Sequence, residues 1–128
     1  MDIKVKFFED NFVEAIGAGV YGIYYIQKDN KEKLLYIGES VFVLVRCATH
    51  LYEIVKGNGY LGFQHEMFES NNIALAFKLL HSEPDKKARK AKEINFIGRL
   101  KPEMQSGIGD RVKPIEDMIS KMADLLNE

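Results

Sequence analysis

The stretch VYGIYYIQ at residues 20–27 is followed, after the polar link KDNKE, by KLLYIG at residues 33–38. Both apolar runs are rich in aromatic and β-branched residues, which favour strands. Two such runs joined by a short polar link are typical of a β-hairpin. The sequence therefore predicts an antiparallel pair of strands at the centre of the fold.

Helical patterns and a further strand surround this hairpin. Apolar residues recur at helical spacing after Ser40, a suitable N-cap, and a later helix ends before Pro102. The predicted helices cover residues 41–56, 60–70, 82–100 and 113–126, and a third strand covers residues 73–80. We therefore expect the α+β class, with a small antiparallel or mixed three-stranded sheet flanked by helices.

The chain length and composition predict one domain inside the cell. A length of 128 residues fits a single domain, expected at 20–106, with an N-terminal extension at 1–19. Residues 107–128 are expected to add a helix that packs on this domain or extends it. No apolar run is long enough for a transmembrane helix, and the first residues are too charged for a signal peptide. Together with a single cysteine, these features predict a cytoplasmic protein that does not bind membranes.

Positive charge is concentrated in one predicted helix, although the whole chain has a formal net charge of −1. Residues 86–101 hold seven cationic side chains and one acid, Glu93. Such a run is either a solvated helix face or a strip that faces nucleic-acid phosphates. The second interpretation makes nucleic-acid-binding candidates of Lys86, Lys87, Arg89 and Lys90. The overall charge argues against a globally basic nucleic-acid binder.

Two tripeptides, Gly22-Ile23-Tyr24 and Tyr36-Ile37-Gly38, fall on the two strands of the hairpin. Taken alone, these tripeptides are weak evidence, because Gly, Ile and Tyr are common in strands. Arg46 follows eight residues after the second tripeptide, and His50 follows at i+4, so both project from the same helical face. Taken singly, the tyrosines are also explained as packed hairpin aromatics and the Arg46–His50 pair as an exposed helix pair.

Glu93 lies on the same side of its helix as apolar residues. Ile97 and Leu100 follow it at i+4 and i+7. A carboxylate that points toward a core needs a partner or a metal ion. The structural alternative is an ion pair between Glu93 and Arg89 or Lys90.

This arrangement resembles the GIY-YIG nuclease family over roughly residues 20–106. The resemblance rests on the paired tripeptides, on their spacing to Arg46 and His50, and on a Glu followed by a Lys-Pro step. It implies a metal-dependent endonuclease that hydrolyses phosphodiester bonds of DNA, with Mg²⁺ or Mn²⁺ as cofactor. The implied catalytic residues are Tyr24, Tyr36, Arg46, His50 and Glu93, with Gly22, Ile23, Ile37 and Gly38 as motif and backbone positions.

The resemblance also implies a role for each catalytic side chain. Tyr24 is the expected general base, and Tyr36 bonds to a phosphate oxygen or to the attacking water. Arg46 offers a permanent planar charge for phosphate, and His50 relays the proton or orients the base. Glu93 is the expected metal ligand, since Mg²⁺ commonly takes one or two carboxylates and keeps several waters.

The sequence departs from the family pattern at Gln105, where the family usually has an asparagine after a proline. We expect Gln105 to support the active site. The departure and the net acidity favour an alternative, a catalytically weak or inactive nucleic-acid-binding module of the same fold. A third interpretation is an interaction protein with its last helix as a docking or dimer surface, and the sequence is compatible with a monomer or a homodimer.

Overall fold

The computed structural model describes residues 3–105 and 114–128. The α+β class is confirmed, and the sheet is mixed, in the order β1-β4-β2-β3. Strand β2 is antiparallel to both of its neighbours, whereas β1 is parallel to β4. The four strands are β1 (Ile3–Phe7), β2 (Gly19–Ile26), β3 (Glu32–Ser40) and β4 (Ile73–Ser82).

The sheet has one strand more than the sequence predicts. Strand β1 comes from the part of the chain that we expected to form an N-terminal extension, and it pairs with β4 along its whole length. Its burial alternates, with Lys4 and Lys6 exposed. Lysines on a short edge strand are a common protection against pairing with another chain. The first residues described are therefore part of the sheet.

Helices flank the sheet close to the predicted positions. They are α1 (Phe12–Ala15), α2 (Val43–Val55), a 3₁₀ turn (Tyr60–Gly62), α3 (His65–Ser70), α4 (Lys86–Leu100) and α5 (Ile115–Leu126). Helix α4 begins later than predicted because β4 runs through Ser82, and the carboxylate of Asp85 then caps the helix by accepting the N–H of Ala88 at 2.8 Å. None of the helices in the described ranges has the length and apolar character needed to cross a bilayer.

The helices cover opposite faces of the sheet. Helix α2, α5 and the 3₁₀ turn pack over the larger core, which includes Tyr21 and Ile23 of β2. Helix α4 packs over the other face, where Ile97 meets Val20 and Ile37. Because side chains alternate along a strand, each residue of the hairpin is assigned to one of these two layers.

A bulge in the hairpin sets which residues share the α2 face. Ile23 pairs with Tyr36 but Tyr24 pairs with Leu34, so Leu35 is an extra residue on β3. Leu35 and Tyr36 consequently both belong to the larger core. The bulge brings Tyr36 to the same face as Tyr21.

Helix α5 uses its apolar stripe within the chain. Met118, Met122, Leu125 and Leu126 are buried, and α5 packs against the 3₁₀ turn. A Cβ on Gly62 would meet the carbonyl oxygen of Met118, so only glycine permits this approach. The stripe therefore covers the protein's own core rather than presenting an apolar docking surface. The predicted domain boundary between residues 106 and 107 lies outside the described residues.

Candidate active site

A chain of hydrogen bonds between side chains lies between the sheet and helix α2. The hydroxyl of Tyr21 is 2.7 Å from Nε2 of His50, and Nδ1 of His50 is 2.6 Å from the hydroxyl of Tyr60. Tyr21 and His50 are almost fully buried, at 1% and 2% exposure, whereas Tyr60 is half-buried. Three elements thus supply the chain: β2, α2 and the 3₁₀ turn.

Tyr36 and Arg46 complete this group. The Tyr36 ring lies 5.4 Å from the His50 ring and 6.5 Å from the Tyr21 ring, measured between centroids. Arg46 is exposed, and its guanidinium acts electrostatically on Tyr21, Tyr36 and Tyr60. We call these five residues, Tyr21, Tyr36, Arg46, His50 and Tyr60, the Tyr–His cluster.

Gly38 is required for the position of Tyr21. The two residues pair across β2 and β3, and the Tyr21 ring lies over Gly38. A Cβ on Gly38 would collide with the hydroxyl oxygen and with the ring carbon that carries it. The glycine of the second tripeptide thus makes room for a cluster side chain.

Burial keeps the interior of the cluster neutral. Desolvation, with a smaller contribution from the positive charge of Arg46, lowers the pKa of His50 from 6.5 to about 4. Burial raises the pKa of Tyr21 and of Tyr60 above the ordinary value of 10.0. For Arg46, burial acts to lower the pKa, but the interactions with Tyr21, Tyr36 and Tyr60 together outweigh it and the pKa is raised. At neutral pH, Arg46 is therefore charged while His50, Tyr21 and Tyr60 are not.

The structure does not bring Tyr24 to this cluster. Tyr24 and Gly22 lie on the α4 face of the sheet, where the Nζ of Lys78 sits 5.0 Å from the centre of the Tyr24 ring. The reason is the alternation along β2, which sends Tyr21 and Tyr24 to opposite faces. Ile23 and Ile37 are core residues of the two layers. Of the predicted catalytic residues, Tyr36, Arg46 and His50 converge, and Tyr21 occupies the place expected for Tyr24.

Glu93 lies on the side of α4 that faces the sheet. It is half-buried and one helical turn from the buried residues Arg89 and Ile97. It interacts with a neighbouring group. Helix α4 packs mainly against β3, over the face opposite to the side chain of Tyr36, so Glu93 is not among the residues that converge in the Tyr–His cluster.

The donor chemistry of Glu93 fits one class of metal site better than another. Within residues 3–105 and 114–128, no three His, Cys, Asp or Glu side chains form a group able to hold a metal ion. A zinc site with three or four protein ligands does not fit this donor set. A single half-buried carboxylate fits Mg²⁺, whose other positions are commonly filled by water and substrate phosphate.

Gln105 supports the second tripeptide through the backbone of β3. Its side-chain oxygen accepts the N–H of Ile37 at 2.9 Å, and its amide nitrogen donates to the Ile37 carbonyl at 2.8 Å. The preceding residues extend this pairing, since the N–H groups of Glu103 and Met104 bond to carbonyls of β3. Gln105 thus acts as one more strand partner for the edge of the sheet.

The predicted basic strip is smaller than the sequence indicates. Arg89 is 2% exposed, and its Nε donates to the Glu39 carboxylate at 2.7 Å. Its Nη1 donates to the carbonyls of residues 83 and 84. Because it is buried and paired with Glu39, Arg89 is not available to a phosphate. Lys86 and Lys87 are exposed, and Lys90 is exposed but lies 3.4 Å from the same carboxylate.

Two cluster residues, Tyr21 and Tyr60, were missed at the sequence level. A signal for Tyr21 was present, because Gly19-Val20-Tyr21 is also a Gly-aliphatic-Tyr tripeptide and Tyr21 faces the same core as α2. Tyr60 carries no comparable signal. It follows a glycine turn, and only the folded chain places its hydroxyl on His50.

Comparison of the chain with models of protein families, with curated proteins and with solved structures produced no match.

Proposed function

We propose that the protein is a metal-dependent endonuclease of the GIY-YIG type that hydrolyses phosphodiester bonds of DNA. The proposal rests on the convergence of Tyr36, Arg46 and His50 with Tyr21 in one cluster. In the sequence, only their spacing along the chain connects Tyr36, Arg46 and His50. Arg46 and His50 share a helical face through their i, i+4 spacing, so the informative part of the convergence is that Tyr21 and Tyr36 of the hairpin meet that face.

The exposed edge of the cluster suits a phosphate. Arg46 presents a planar set of N–H donors that matches two phosphate oxygens, and its charge is permanent. Tyr36 lies half-buried on the same face and offers a hydroxyl. Exposed Lys86 and Lys87 on α4 are assigned to the more distant backbone of the nucleic acid.

In this proposal Tyr21, not Tyr24, is the general base. Burial raises the pKa of Tyr21, so a standing phenolate is disfavoured. Its hydroxyl is already hydrogen-bonded to Nε2 of His50. Tyr21 therefore takes a proton from the attacking water as it passes its own proton to His50, and no charged tyrosine has to accumulate.

Glu93 is the residue that would hold Mg²⁺ or Mn²⁺. When bound, the ion would stabilise negative charge on the phosphate oxygens. Cys47, the single cysteine, is buried in α2, which suits a reducing compartment, and we place the activity in the cytoplasm.

A plasmid-nicking assay with Mg²⁺ or Mn²⁺, and with EDTA as the negative control, tests the proposal. Tyr21→Phe is expected to lower the cleavage rate by about 10²-fold or more, because general-base transfer is lost. Tyr24→Phe is the matched control, since it removes the same atom from the same strand but on the opposite face, and it is expected to cleave at the wild-type rate. Loss of cleavage in Tyr24→Phe with full activity in Tyr21→Phe would refute the assignment.

One observation supports a second candidate, a nucleic-acid-binding module without turnover. Tyr21 is only 1% exposed, which restricts the access of an attacking water. In that case the wild-type protein binds DNA in a gel-shift or anisotropy assay but does not nick it with either metal ion. Arg46→Ala then weakens binding, whereas under the endonuclease proposal it lowers turnover more than binding.

A further inference from the structure

Tyr60 is held at the cluster by an unusual backbone. It opens a 3₁₀ turn between Gly59, at φ 95°, and Gly62, at φ 86°, and Leu61 inside the turn has φ 50°. A left-handed conformation is uncommon for a bulky residue such as leucine, and such strain persists only where the surroundings impose it. The surroundings here include α5, since a Cβ on Gly59 would lie 2.7 Å from the side chain of Ile115. Packing against α5 therefore holds the turn in this conformation.

The hydrogen bonds through His50 have one consistent direction. Arg46 carries N–H donors only and acts electrostatically on Tyr21, which favours a Tyr21 oxygen that faces the guanidinium and a hydroxyl proton that faces His50. Tyr21 then donates its hydroxyl proton to Nε2 of neutral His50, which leaves the ring proton on Nδ1. Nδ1–H donates to the Tyr60 oxygen, and the hydroxyl proton of Tyr60 is directed away from His50. Arg46 thus favours this direction, and Tyr60 completes it because its oxygen is the acceptor for the Nδ1 proton of His50.

We propose that Tyr60 is a positioning residue that fixes the His50 tautomer and forms the outer end of a proton relay running Tyr21–His50–Tyr60. This inference rests on the proposed function. When water gives a proton to the Tyr21 oxygen, the Tyr21 hydroxyl proton moves to Nε2 and the Nδ1 proton moves to the Tyr60 oxygen. The hydroxyl proton of Tyr60 passes to solvent, so one O–H or N–H bond forms for each that breaks. After the transfer every member is again neutral, and the ring proton of His50 lies on Nε2 instead of Nδ1.

The electrostatics of the cluster agree with a relay rather than with a stored charge. The groups that act on the relay from the packed elements are Tyr36, Arg46, Cys47 and Glu53. Burial lowers the pKa of His50 and raises that of Tyr21 and Tyr60, so an imidazolium or a phenolate is disfavoured at every point. Protons therefore pass through the three residues together.

Tyr60→Phe tests the inference, with Tyr52→Phe as its control. Both variants remove one hydroxyl from a tyrosine near α2, but Tyr52 is 63% exposed. In Tyr60→Phe, nitrogen-15 NMR of the imidazole is expected to show loss of the pure Nδ1–H tautomer, and kcat is expected to fall about tenfold with KM unchanged. The solvent deuterium isotope effect on kcat is expected to change as well. Tyr52→Phe leaves all of these quantities at their wild-type values.

The two readouts separate failure of the inference from failure of the proposed function. An unchanged His50 tautomer in Tyr60→Phe overturns the inference, and so does a changed tautomer with wild-type kcat and isotope effect. If the wild-type protein does not cleave DNA, the proposed function and with it the relay are refuted. The NMR measurement then still decides whether Tyr60 positions His50. Thermal melting of both variants shows whether the fold is intact.

Discussion

Acid is expected to destabilise the fold through His50, because the folded state holds this side chain neutral. The residue is 2% exposed, and burial together with Arg46 lowers its pKa from 6.5 to about 4. In the unfolded chain, His50 regains its ordinary pKa. The unfolded state therefore binds more protons between about pH 6.5 and pH 4, and the free energy of unfolding falls as the pH is lowered through that range.

The two pKa values determine the size of the effect. They differ by about 2.5, and one pKa unit corresponds to about 1.4 kcal/mol, so complete protonation lowers the free energy of unfolding by about 3 kcal/mol. Between about pH 7 and pH 5 the loss is about 2 kcal/mol. Glu39 contributes little in this window. Burial acts to raise its pKa, but the hydrogen bond from Arg89 and the charge of Lys90 hold it below 4.5.

Urea unfolding at about pH 7 and about pH 5 measures this loss. The comparison uses wild type, His50→Gln and, as a matched control, His65→Gln, in which an exposed histidine is replaced. Wild type and His65→Gln are expected to lose about 2 kcal/mol more than His50→Gln over this interval. Equal pH dependence in wild type and His50→Gln, or a His50 imidazole signal that titrates above about pH 6 in NMR, would refute the reasoning.

Two other substitutions probe how the site is supported. Gly38→Ala is expected to lower both the melting temperature and the cleavage rate, because a Cβ there displaces the Tyr21 hydroxyl. Gly17→Ala, at an open position, is the control and is expected to change neither quantity. A wild-type melting temperature in Gly38→Ala would contradict this prediction. Arg89→Gln is expected to cost about 2–4 kcal/mol in urea unfolding, since it leaves the Glu39 carboxylate without its buried partner, whereas exposed Lys86→Gln costs about 0.5 kcal/mol or less. An equal effect of these two substitutions would show that the ion pair does not stabilise the fold.

The sequence predicted the hairpin and the elements after it but did not predict which hairpin tyrosine faces α2. Residues 20–27 contain three tyrosines, and strand alternation places Tyr21 and Tyr25 on one face and Tyr24 on the other. The relation to Tyr36 depends on the bulge at Leu35, which has no composition signal of its own. Local patterns identify strands, whereas a bulge is selected by packing on both faces of the sheet.

The basic strip shows a second limit of local patterns. A run of cations predicts an exposed helix face, and most of the run is exposed. Arg89 is the exception because its partner, Glu39, lies fifty residues earlier on the edge strand. An ion pair between distant parts of a chain leaves no trace in either local sequence. The predicted exposure of the cations is therefore right for most of helix α4 and wrong for Arg89, which the fold buries as the partner of Glu39.

The cluster also depends on a part of the chain that lies beyond the resembling stretch. Helix α5 begins at Ile115, yet it packs against the 3₁₀ turn that carries Tyr60, and two glycines of that turn are in contact with it. Tyr60 in turn bonds to His50, and His50 to Tyr21. Two sets of contacts therefore determine the position of the Tyr21 hydroxyl. On one side it lies over Gly38 of β3, and on the other it is connected through His50 and Tyr60 to helix α5. A side chain held in this way keeps little conformational freedom, which is the condition that the proposed role of Tyr21 as general base requires.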